Sequence, residues 1–271
     1  MRFPLAFMAS RPAEEFRLVD ANLRESFQVL LPGRANGELL NLDGIRIISL
    51  GVAFQMFNAA FISGPVRGAV ELGQRLELAR GHFAAAGRDW SFWVCEDWLD
   101  RPARRQLTRM CRSFGLRLAT EVPGMIAEQL DPPRRQLPAL RISRVAHQQS
   151  LDDFTGIGTV CFNLPAQWYE EVFDASLPQR PFIAWVAYEN GCPVATAASV
   201  TADGVIGIYN VATAPGFRGR GIAEAITRHA LTAALLENPG APIVLQSSPM
   251  GVDLYFSLGF RTVTRILVYN S

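Results

Sequence analysis

The sequence predicts an α/β (α+β) protein built as two related halves, each a mixed, mostly antiparallel sheet flanked by helices. Three observations lead there. A chain of 271 residues is long for one ordinary domain and ample for two, each large enough to bury a core. Residues 182–213 hold three strand-like runs separated by hairpin turns, and a helical repeat follows them. Residues 72–130 echo the later part of that order, which two related half-chains explain more economically than two unrelated folds.

Taken from the N-terminus, MRFPLAFMAS reads as a first strand or loop. A signal peptide needs an apolar region of about 7–15 residues and a small-residue cleavage site. The longest apolar run, residues 51–62, is interrupted by Gln55 and Asn58 and falls short of the ~20 residues of a membrane span, so it is assigned to the core. Residues 72–86 predict a helix, 90–95 a strand, 103–114 a helix and 125–130 a strand. Asp131-Pro132-Pro133-Arg134-Arg135 is the best linker, because two prolines stop regular pairing and the arginines stay in water. It divides the chain into residues 1–134 and 135–271.

In the second half, residues 182–188 form a strand that ends at the turn Glu189-Asn190-Gly191. Residues 194–200 return, Ala202-Asp203-Gly204 turns again, and residues 205–213 complete a meander. Ile222, Ile226, Ala230 and Ala233/Ala234 recur at helical spacing until Asn238-Pro239-Gly240 ends the run. Residues 243–246 then read as a buried strand, 252–258 as a short helix and 261–269 as a last strand.

Hydrophobic residues make up 49% of the chain and charged residues 19%, the balance of a folded globular protein. A net charge of +1 supplies no general field for gripping a polyanion, so neither nucleic acid nor a membrane is expected as a partner. Cys95, Cys111, Cys161 and Cys192 form no C-x-x-C pair and lie far from the three histidines. The expectation is a reduced, cytoplasmic protein with no metal site. Arg101, Arg105, Arg109 and Arg112 share one side of the predicted helix, with Arg104 nearby. They could meet an acidic partner or a nucleotide phosphate; the plainer reading is a solvated face balanced by Glu96, Asp97 and Asp100.

The stretch PGFRGRGIAEAI, residues 215–226, puts glycines and arginines at the mouth of a helix. The first N–H groups of a helix have no carbonyl partner and carry the positive end of its dipole. With Cβ atoms absent at Gly219 and Gly221, the amides of Arg218, Gly219, Arg220, Gly221, Ile222 and Ala223 can wrap a pyrophosphate, with both arginines at the rim. The spacing fits neither a P-loop nor a dinucleotide fingerprint. On the loop alone, a tight strand-to-helix turn is the competing reading.

Val211-x-Thr213-x-Pro215 followed by Arg218-Gly219-Arg220-Gly221-Ile222-Ala223 resembles the acyl-CoA-binding signature of the GNAT N-acetyltransferase superfamily. Residues 248–260, SPMGVDLYFSLGF, resemble its second signature, a short helix ending in Tyr-x-x-x-Gly-Phe. The resemblance covers about residues 140–269, and the N-terminal half resembles a degenerate copy of the same domain, as in tandem GNAT proteins. It implies an N-acetyltransferase with acetyl-CoA as cosubstrate and a small-molecule or peptide amine as acceptor. By the same resemblance, Val211, Ala212 and Thr213 would pair with the pantetheine arm and support the oxyanion, and Ser248 would lie beside that arm. Tyr255 would protonate the departing thiolate; the competing role for this side chain is an aromatic wedge between helix and sheet.

The chain departs from the pattern in three places. Ser248 stands where many members carry Asn, Gly251 where many carry Ala, and Ile208-Tyr209-Asn210 offers no glutamate as general base. Glu170, Glu171, Glu189 and Asp203 could act through water, and are as readily turn or surface residues. His229 reads as a packed or partly solvated histidine. The missing glutamate leaves a second function class, a non-catalytic acyl-CoA sensor or protein-interaction module. In the N-terminal half, Ala69-Val70-Glu71-Leu72 replaces the working loop, so one acetyl-CoA per chain is expected.

Overall fold

The computed structural model describes residues 14–174 and 181–271; the N-terminal stretch assigned to a first strand or loop lies outside the described residues. The first half contains α1 (Glu15–Gln28), β1 (Glu38–Leu42), β2 (Ile45–Ser49), β3 (Asn58–Ile62), α2 (Gly68–Ala86), β4 (Ser91–Cys95), α3 (Arg101–Ser113) and β5 (Arg117–Ala127). The second contains β6 (Arg141–Arg144), α4 (Gln148–Phe162), α5 (Ala166–Val172), β7 (Phe182–Glu189), β8 (Cys192–Ala202) and β9 (Val205–Thr213). It closes with α6 (Ile222–Glu237), β10 (Ile243–Gln246), α7 (Val252–Ser257) and β11 (Arg261–Asn270).

All eleven strands join one sheet in the order β1-β2-β3-β4-β11-β5-β10-β9-β8-β7-β6. The centre of that order is an exchange. Strand β11 pairs with β4 on one side and β5 on the other, while β5 pairs with β10. Each half thus completes its sheet with the last strand of the other. Two pairs are parallel, β3 with β4 and β9 with β10, and each is bridged by a helix, α2 or α6, as a parallel crossover requires.

Alternation along the strands sorts the helices into two layers. On β11, Leu267 and Tyr269 join the cluster of α2 and α3, while Ile266 and Val268 turn to α1. On β10, Ile243 and Leu245 face α6 and Tyr255 of α7, and Val244 faces α1. Phe154 of α4 and Tyr169 of α5 cover Ala184, Val186, Ala198 and Val200. One face therefore carries α2, α3, α6 and α7, and the other α1, α4 and α5.

Helix α1 crosses strands of both halves. Its inner face mixes Val19, Leu23 and Phe27 with buried Asp20, Asn22, Arg24 and Ser26, so it lacks the apolar stripe that marks a helix in sequence. Most of these polar groups find partners within the protein: Arg24 pairs with Asp20 through Nη1, Asn22 Nδ2 donates to Val205 O at 3.0 Å, and Tyr209 donates its hydroxyl proton to Asn22 Oδ1 at 2.6 Å, while Arg24 Nε has no partner among the described residues. A Cβ at Gly207 would come within 1.9 Å of Asn22 Oδ1, so the close seating of α1 on β9 requires glycine there.

The apolar run 51–62, assigned to the core, ends in β3, which is buried along its whole length. One expected strand is displaced. The strand expected at 125–130 begins at Arg117 and stops at Ala127; its first residues are largely exposed, so no buried run announces them.

Candidate functional site

Strands β9 and β10 pair only at Ile206–Ile243 and Gly207–Val244. Beyond that point β9 stays with β8, and β10 stays with β5 through Leu245–Met125 and Gln246–Gly124. The two strands part, and their facing backbone edges are left open as the lips of a cleft.

On the β9 lip the register slips. Tyr209 opposes Ala198 and Ala212 opposes Thr196, so Asn210 and Val211 together oppose Ala197 in a bulge that re-aims the strand end. Asn210 sits there at φ 51°. Thr196 Oγ1 donates to Asn210 O at 2.8 Å, and Asn210 Nδ2 donates to the buried Tyr169 hydroxyl at 3.0 Å. Val211, Ala212 and Thr213 follow, bonded to β8 on one side and open on the other.

A short 3₁₀ turn at Pro215–Phe217 leads to Gly221, the N-cap of α6, at φ 81°. Among the described residues, the amides of residues 219–223 find no acceptor. Arg218 Nε donates to Thr213 O at 3.1 Å and ties the loop to the strand end. Arg220 pairs with Glu189 at 2.6 Å and lies over the Phe217 ring. Both arginines border the loop and are already oriented by protein groups.

A third guanidinium reaches the loop from the linker. A Cβ on Gly221 would meet Arg135 Nη2 at 3.3 Å and Pro138 Cδ at 3.4 Å. The linker is strapped along α6: Asp131 O accepts from Arg228 Nη1 at 2.6 Å, and Asp131 N donates to Leu258 O at 3.0 Å. The arginines assigned to keep the linker wet thus include one over the loop. Nothing in the local sequence carries that placement, because it follows from the path of the strap.

On the β10 side, Ser248 is exposed and its carbonyl accepts from Gly251 N at 2.9 Å and Ser247 Oγ at 2.8 Å. Tyr255 is 7% exposed and meets Phe260 edge-on at 5.7 Å. A Cβ at Gly251 would already be 3.1 Å from Tyr255 Cε2. The Tyr255 hydroxyl has no hydrogen-bond partner among the described residues, and burial pushes its pKa up, so it holds its proton at neutral pH. His229 packs edge-on against Trp185 at 4.6 Å, and burial lowers its pKa.

Of the acids considered as a base, Glu189 holds Arg220, Glu171 Oε2 accepts from Ala53 N at 3.0 Å, and Asp203 forms the β8–β9 turn. None of the four belongs to the β9 bulge.

The matching place in the first half is closed. Arg67 N donates to Glu71 Oε2 at 2.6 Å and Gly68 N to Asp100 Oδ2 at 2.9 Å, so carboxylates occupy the start of α2. Past the ends of β3 and β4 the chain is stitched together again: Val66 N donates to Trp98 O at 2.8 Å and Asp100 N to Val66 O at 3.1 Å.

Residues 180–262 match the family model described as the acetyltransferase (GNAT) domain. A GCN5-related N-acetyltransferase from Kribbella flavida is similar over 94% of this chain and 95% of its own, at 23% identity and a TM-score of 0.70. A GCN5-related N-acetyltransferase from Sphaerobacter thermophilus is similar over 100% and 96%, at 15% identity and 0.52. A tandem GNAT protein from the clavulanic acid biosynthesis pathway is similar over 96% and 94%, at 12% identity and 0.53. A search of curated proteins finds no match. The solved structures share this chain's fold over nearly its whole length. Over residues 180–262, the chain carries an acetyltransferase domain of the GNAT family.

Proposed function

We propose that the second half, residues 135–271, transfers an acetyl group from acetyl-CoA to a primary amine of a small molecule or peptide, by direct attack within a ternary complex. Residues 1–134 act as a scaffold that binds no cofactor and lends β5 and α1 to the site. The observation that carries this reading is the contrast between the halves: open amides beside parted strands at Gly221, against amides held by Glu71 and Asp100 in the first half.

In this account the amides of residues 219–223 receive the pyrophosphate, assisted by the dipole of α6 and by Arg218, Arg220 and Arg135. The pantetheine arm adds itself to the open edge at Val211, Ala212 and Thr213 as an extra strand would, and passes Ser248. The amine nitrogen attacks the thioester carbonyl carbon, whose oxygen becomes an oxyanion held by backbone N–H at the strand end. The C–S bond then breaks, the thiolate takes the Tyr255 proton, the new amide loses a proton to solvent, and Tyr255 regains one from solvent before the next turnover. A cytoplasmic setting fits the four free cysteines.

A second reading is favoured by one observation: Asn210, not a carboxylate, occupies the bulge. In that reading the chain binds acyl-CoA as a sensor. Thiol release from acetyl-CoA across a broad panel of primary amines separates the two. Amine-dependent release supports transfer, cofactor binding without release supports the sensor, and absence of both contradicts the proposal.

A further inference from the structure

We propose that the outer face of α3 docks an acidic segment of a partner protein. Residues 101–120 contain six arginines and no acidic residue, in a chain whose net charge is only +1. Arg101, Arg105, Arg109 and Arg112 lie at spacings of four, four and three on one side of α3, over about 16 Å of helix at 1.5 Å per residue. All four are exposed, as is Arg117 at the start of β5.

The balance expected from neighbouring acids is missing for these five. Glu96 pairs with Arg265 at 2.5 Å, and Glu121 pairs with the same arginine at 2.8 Å. Asp97 accepts from Thr264 Oγ1 at 2.6 Å. Asp100 caps α3 through Ala103 N at 2.8 Å and also holds Gly68 N. Of the α3 arginines, Arg104 alone reaches Glu96 and Asp97 among the described residues, at 3.9 Å each. Among the described residues, Arg101, Arg105, Arg109, Arg112 and Arg117 make no ion pair. Like charges one helical turn apart repel each other, and an anionic partner relieves that repulsion.

The stripe ends in a cavity of about 480 Å³ lined by Arg112, Gly115, Leu116, Arg117 and Leu118, where Leu118 is 45% exposed. Two guanidinium forks beside an apolar wall suit a carboxylate on a methylene stem, since each fork can grip a carboxylate with two parallel hydrogen bonds. Nucleic acid fits less well. No exposed aromatic ring lies within residues 101–120 to stack on a base, and the chain as a whole lacks the basic field such binding uses. All 26 lysine-or-arginine positions are arginine. Acylation removes charge from lysine amines, so an acyl donor cannot neutralise this face.

The test is fluorescence anisotropy with a labelled 20-residue poly-L-glutamate and a labelled 20-nucleotide single-stranded RNA, each titrated with the full chain at low and high salt. Wild type is compared with Arg105→Gln/Arg109→Gln/Arg112→Gln and with the corresponding triple Glu variant, their folding checked by thermal melting. The expected result is saturable poly-glutamate binding at low salt that weakens at least ~10-fold in the folded triple Gln variant. No saturable binding by wild type, or equal binding by that variant, overturns the proposal. RNA binding tighter than poly-glutamate overturns the assignment to an acidic protein.

Discussion

Gly68 N donates to Asp100 Oδ2 at 2.9 Å, whereas among the described residues no carboxylate meets the amides of the Gly221 loop at the same step of the second half. Asp100 also caps α3, so Asp100→Ala should lower stability by about 0.5–2 kcal/mol, the scale of a lost N-cap. It should create no second cofactor site, because the Val66–Trp98 and Val66–Asp100 backbone bonds still close the strands. Thermal melting and calorimetric titration with acetyl-CoA check both halves of that expectation.

Gly221→Val places a branched side chain at φ 81° and drives it toward Arg135. The backbone cost is about 1–2 kcal/mol, which a chain of this size should survive folded. Acetyl-CoA affinity should fall about tenfold or more, equivalent to at least ~1.4 kcal/mol. Unchanged affinity by calorimetry would remove the pyrophosphate from this loop.

Tyr255→Phe keeps the ring against Phe260 and deletes only the hydroxyl. If that hydroxyl protonates the leaving thiolate, turnover should drop about 10²–10⁴-fold with acetyl-CoA affinity nearly kept. Wild-type turnover in the variant would make Tyr255 a packing residue.

Much of this was legible in the chain, and the reasons for the remainder are physical. The meander of β7, β8 and β9, the start and end of α6, and the short helix carrying Tyr255 follow from alternation, turn residues and helical spacing. Helix α1 was hidden because Asp20, Asn22 and Arg24 interrupt its apolar face, and their partners lie far along the chain. The insertion of β11 between β4 and β5 leaves no local mark, since any long apolar strand could fill that slot. Arg135 looked like linker polarity until the strap along α6 set it over Gly221.

The strand exchange predicts that residues 135–271 expressed alone fail to fold. The fragment loses β5, the partner of both β10 and β11, and loses α1 from the face of β9. Circular dichroism of the fragment should lack the cooperative melt of the full chain. A stable, cooperative fragment would mean that the exchanged strands are dispensable.

The measurement that bears most directly on the account is native mass spectrometry of the full chain titrated with acetyl-CoA, beside Gly221→Val. One acetyl-CoA per chain, weakened in the variant, is the predicted result. Two equivalent acetyl-CoA molecules per chain, or none, would contradict it.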